Sequence, residues 1–160
     1  RKDGPTAFAL PRQKLPNLPR PAGFDPKSML KGAYVIAEAE GTPTVVIVAT
    51  GSEVEVAVAA KKVLDGKGER VRVVSMPCVS AFQRQDAAYR DSLLPAGVAR
   101  VAIEIGVSEP WYGIIGRDGL VIGHDGFGAS APDRELQKQF GFLPEQVATR
   151  IRAWRAQAKA

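Results

Sequence analysis

The stretch "VVIVATGSEVEVA", Val45 to Ala57, decides how this chain is read. It runs from apolar residues through one glycine into an acidic start of an amphipathic segment. "TVVIVAT" (Thr44 to Thr50) is apolar without alternation, as expected for a strand covered on both faces. Ser52 to about Leu64 has helical spacing, and "GKGE" ends it. Strand, glycine turn and helix also form the start of many phosphate sites. A dinucleotide fingerprint needs three glycines at G-x-G-x-x-G so that the backbone can approach a pyrophosphate. This turn has one, Gly51, and it lacks the Gly-Lys-Ser/Thr of a P-loop. With Ser52 as N-cap, Glu55 falls at the third helical position, the spacing of a capping box. Glu53 and Glu55 suit the helix dipole and would repel a phosphate. The turn is therefore read as a capped helix start.

Working outward, "AYVIAEA" (Ala33 to Ala39) reads as a strand, joined to "TVVIVAT" by a loop short enough to suggest an antiparallel pair. "RVRVVSM" (Arg70 to Met76), "VARVAIE" (Val98 to Glu104) and "GLVIGH" (Gly119 to His124) supply three more strands. "SAFQRQDAAYRDSLL" reads as broken helical pieces, and "PWYGII" as a helical turn. "PDRELQKQF" and "PEQVATRIRAWRAQAK" begin with Pro, which favours a first helical turn. In the last of these, Val147, Ile151, Trp154 and Ala158 share a stripe that should dock on the sheet. Strands alternating with helices predict a three-layer α/β fold. Its core would be a mixed, mainly parallel five-stranded open sheet with helices on both faces.

Residues 1–32 hold six of the twelve prolines, so they read as a trailing strand, "TAFAL", followed by a Pro-rich linker. The α/β domain then spans 33–160. The chain has no initiator Met and opens mid-pattern, so a piece of a longer or processed chain is expected. A 160-residue chain can bury roughly 68–70% of its unfolded surface, enough for a core without metal or disulfide. The net charge of +5 is not a basic face. Seven of the 22 Lys/Arg and two of the 17 Asp/Glu fall in residues 1–35, and the remaining residues hold fifteen of each sign. With no stacking platform or recognition motif, nucleic-acid binding is not expected. No apolar run is long enough to span a bilayer. The single cysteine, Cys78, excludes an internal disulfide and fits a reducing compartment.

The residues that could carry chemistry are few. "GRDG" and "HDGFG" hold Asp-Gly, but the only asparagine, Asn17, lies upstream of both. A diphosphate-metal motif of Gly-Asp-Gly with a following Asn is thus not met, and turns are the simpler reading. His124 is the only histidine, with no nucleophile elbow in the chain, so neither a catalytic triad nor a histidine-rich zinc site is expected. Cys78 has no basic residue within three positions and is read as a small buried apolar residue. Arg12, in an extended Pro-bounded segment, could present its planar fork to a phosphate. These residues complete no active site.

A series of blocks nonetheless resembles the C-terminal domain of transketolases, in that family's order. They are "ALPRQ", "KGAYVI", "ATGSEVEVAVAA", "VRVVSMP", "FQRQDAAYRDSLLP", "RVAIEIGVSEPWYGIIGRDG", "FGASAP" and "FGFLPEQV", running from about Gly4 to Ile151. The resemblance implies a transferase of the pentose phosphate pathway that moves two-carbon ketol units between sugar phosphates. It implies thiamine diphosphate with Mg2+ or Ca2+, a cytoplasmic homodimer, and preceding N-terminal and pyrimidine domains that hold the cofactor. No cofactor, catalytic or metal residue is carried into this chain, which is expected to be structural and inactive alone. "PRQ" aligns Arg12 with an arginine that contacts the substrate phosphate, with Pro11 where the family has serine. A stand-alone α/β binding or dimerisation module is the alternative. A related thiamine-dependent dehydrogenase subunit fits the "FGASAP" and "PRQ" blocks less well.

Overall fold

The computed structural model describes residues 4–8, 10, 11 and 13–158; Arg12 lies outside them. Five strands form one sheet: β1 (Tyr34–Ala37), β2 (Val45–Ala49), β3 (Val71–Ser75), β4 (Ala99–Ile103) and β5 (Leu120–Ile122). The helices are α1 (Glu53–Asp65), α2 (Val79–Gln83), α3 (Ala87–Leu93), α4 (Tyr112–Ile115), α5 (Asp133–Phe140) and α6 (Pro144–Gln157). Short 3-10 turns at Pro26–Lys31 and Glu109–Trp111 precede β1 and α4. The strand order is β1-β3-β2-β4-β5, with β2, β3, β4 and β5 parallel and β1 antiparallel.

Every residue of β2 is buried, which explains its unbroken apolar run. Val45, Ile47 and Ala49 face one core with α1 and α6, where Leu64, Phe142, Val147 and Ile151 are also buried. Val46 and Val48 face the other, against Phe82 of α2, Leu93 of α3 and Ile114 and Ile115 of α4. Helices thus cover both faces, as predicted. The α6 stripe docks through Val147 and Ile151, with Trp154 at the core's margin; Ala158, expected on the same stripe, is the C-cap just past the helix and is exposed.

Three expectations are corrected. First, β1 does not pair with β2. It runs antiparallel to β3, which sits between them. Two strand spacings are about 9–10 Å, within reach of the connection 38–44. Arg70 ties that connection down, donating from Nε to the Thr42 carbonyl at 2.6 Å. Second, the capping box does not form. Ser52 already has helical angles, φ −65° and ψ −29°, and makes no side-chain cap. Its hydroxyl instead donates to Glu53 Oε1 at 2.9 Å. Third, Cys78 is exposed rather than buried.

The Pro-rich segment rests on the domain in part. Leu18 and Phe24 pack against the first core. The Phe24 and Tyr34 rings lie 5.1 Å apart, with the Arg20 guanidinium 5.7 Å from each ring centroid. Further upstream, Phe8 and Leu10 are exposed, and the described residues of "TAFAL" form no strand.

Candidate functional site

In an open parallel sheet, ligands favour the crevice beyond the carboxyl ends of two neighbouring strands whose following connections leave to opposite faces. Here those strands are β2 and β4. The chain after β2 enters α1 on one face, and the chain after β4 enters α4 on the other. A cleft of about 550 Å³ lies at this point, bounded also by the loop after β5 and by α5. Each strand end contributes a polar side chain: Glu53 from the start of α1, Glu104 directly after β4, and His124 after β5. Asp133 and Gln137 face the cleft from α5, and Pro11 and Gln13 from the leading segment.

The two glutamates are unusual. Glu53 is 6% exposed although charged residues are rarely buried unpaired. Its carboxyl accepts the Ser52 hydroxyl, yet burial raises its pKa above the ordinary carboxylate value. Glu104 has one oxygen, Oε2, that is buried with no hydrogen-bond partner among the described residues. Burial first, and the neighbouring Glu53 charge second, push its pKa up to about 7. Both effects disfavour the ionised form.

His124 serves the shape of the cleft. Its ring lies 4.1 Å from that of Phe140, and its Nε2 donates to the Phe127 carbonyl at 2.9 Å. That holds the loop after β5 against α5. Asp125 pins the same loop to the one after β4, accepting the Ser108 amide at 2.7 Å and hydroxyl at 2.9 Å. Those bonds lower its pKa. The exposed Cys78 thiol is likewise lowered, mainly by Ser80, whose hydroxyl lies 3.5 Å away, but it is not among the cleft's lining residues.

A cleft at the opposite, amino edge has a volume of about 570 Å³ and is bounded by Arg100, Trp154 and Arg155. Its cations are already engaged. Arg100 donates to the Leu94 and Pro95 carbonyls, and Arg155 pairs with Glu69.

The carboxyl-edge cleft does not suit a diphosphate or its metal. Glu53, Glu104 and Asp133 are acidic, and no Lys or Arg is among the described lining residues. No group of three or more potential metal ligands occurs among the described residues. Of the residues singled out in the sequence, the fold brings His124 and Glu53 together and leaves Cys78 apart. Sequence reading overlooked Glu104. Its signal was a carboxylate placed directly after an apolar strand.

Known proteins then bear on this geometry. Residues 32–143 match the family described as "Transketolase-like TK C-terminal domain". The transketolase of Aquifex aeolicus (strain VF5) is 49% identical over 152 residues, covering 94% of this chain and 22% of that protein. Transketolase 1 of Vibrio vulnificus (strain YJ016) is 49% identical over 148 residues, covering 92% and 22%. A crystal structure of a transketolase mutant from Pichia stipitis superposes with a TM-score of 0.81 at 37% identity, covering 92% of this chain and 21% of that one. The chain thus spans about a fifth of the length of these relatives.

Proposed function

This chain belongs to the transketolase family, within its C-terminal domain, and from that premise we propose that it works as the supporting α/β domain of a longer enzyme. That enzyme transfers two-carbon ketol units between sugar phosphates, as a cytoplasmic homodimer with thiamine diphosphate and Mg2+ or Ca2+. Thiamine diphosphate supplies the carbanion-stabilising centre for such transfer. It would be held by the N-terminal and pyrimidine domains of the longer chain. The observation carrying this reading is the family match over residues 32–143, which takes in all five strands.

The chemistry of the carboxyl-edge cleft agrees with a supporting role. A phosphate entering this cleft would meet the carboxylates of Glu53 and Asp133 and no cation among the described lining residues. The phosphate contact is therefore assigned not to the cleft but to Arg12, whose guanidinium fork suits a phosphate and which stands in the "PRQ" block. In the longer chain, residues 1–32 would serve as the linker from the pyrimidine domain, with "TAFAL" completing that domain's sheet there rather than in this one.

The test joins this chain to the longer enzyme and measures ketol transfer from a phosphorylated ketose to a phosphorylated aldose. The enzyme should turn over. Arg12→Ala should raise KM for both sugar phosphates by roughly 10- to 100-fold, the loss of one charge-assisted contact. No transfer by the intact enzyme would overturn the family-level reading. Unchanged KM values would overturn the role of Arg12 alone.

A further inference from the structure

The acidic pair at the switch point has a consequence independent of ketol transfer. Glu53 stands in the first turn of α1 and Glu104 at the end of β4, both on the same cleft. Glu53 is buried and bonded to Ser52, while Glu104 keeps Oε2 buried without a partner among the described residues. A buried carboxylate oxygen without a donor is costly, and a second carboxylate facing the same space adds to the cost. One bound proton relieves both. The surroundings offer little else. His124 faces the cleft from the end of β5, but its Nε2 is given to the Phe127 carbonyl. Asp133 of α5 adds further negative charge, and Asp125 is turned to Ser108. No Lys or Arg among the described residues lines the cleft.

We propose that Glu53 and Glu104 hold one proton between them below neutral pH, seated on Glu104, and that its loss loosens the crevice between α1 and the end of β4. The proton rests on Glu104 because Glu53 has the Ser52 hydroxyl to stabilise its charge. Such a pair titrates as a unit. The folded state holds this proton more tightly than the unfolded chain does. The stability it confers is complete below the ordinary carboxylate value of 4.5 and is lost as pH rises through about 7.

Thermal unfolding of the 160-residue chain between pH 5 and 8.5 tests this, comparing wild type with Glu104→Gln. The Tm of the wild type should fall relative to that of Glu104→Gln as pH rises from 5 to 8. The two should lie close together near pH 5, with the variant more stable at pH 8. A constant difference across the range would mean a packing role only and would overturn the proposal. If Glu104→Gln does not fold, carboxyl 13C NMR of the wild type gives the same answer. The Glu104 resonance should titrate near neutrality, and a midpoint in the ordinary carboxylate range would overturn the proposal.

Discussion

Gly32→Ala is expected to cost about 3–6 kcal/mol of stability, a fall in Tm of roughly 10–20 °C for a chain of this size. Two independent effects add. Gly32 has φ of +89°, the left-handed region that an L side chain adopts only with strain. A Cβ placed there would also lie 2.3 Å from the Cys78 carbonyl oxygen and 2.4 Å from the Phe82 amide nitrogen. Both obstacles are backbone, so no rotamer change relieves them. The position is a junction as well. Gly32 donates to the Met29 carbonyl at 3.1 Å and accepts from the Cys78 amide at 3.0 Å. It thereby joins the Pro26–Lys31 turn to the start of α2 just before β1 begins. Urea denaturation should show a lower midpoint with an unchanged slope. A loss below about 1 kcal/mol would contradict the close approach.

Phe142→Ala is expected to cost about 3–5 kcal/mol. Phe142 is 0% exposed and heads the fully buried side chains by volume. It sits between α5 and α6, following Gly141, and its amide donates to the Gln137 carbonyl at 2.7 Å. Its ring fills the core between the sheet and the α1–α6 layer. Truncation leaves a cavity that a rigid sheet cannot close. Phe142→Leu keeps most of the apolar contact and should cost less. The same denaturation series separates the two variants. Equal losses would mean that ring volume is not what the site requires.

Much of the architecture was legible because burial imposes period and composition together. "TVVIVAT" reads as a doubly covered strand and is one, and the α6 stripe reads as a docking face, which Val147 and Ile151 bury. Strand order was less legible. A short loop between β1 and β2 suggested neighbours, because nothing local reports that β3 is inserted between them later in the chain. The turn after β2 misled in another way. Ser52 does stand at the N-cap of α1, as its spacing to Glu55 implies, but spacing does not report its backbone angles. With φ and ψ already helical, its hydroxyl turns to Glu53 rather than to a backbone amide. The acidic cleft was half legible. Glu53 was read as a first-turn charge hostile to phosphate, and the sequence did not report that it is buried. Glu104 was passed over because its partner lies about fifty residues earlier, across a crossover connection that only the fold brings together. Cys78 was misjudged because a strand-end residue after Pro77 turns outward at the start of α2.

The most direct test of the supporting role is calorimetric titration of thiamine diphosphate with Mg2+ into the 160-residue chain. The acidic cleft and the assignment of the cofactor to other domains predict no measurable binding heat. Saturable, tight binding to this chain alone would contradict both.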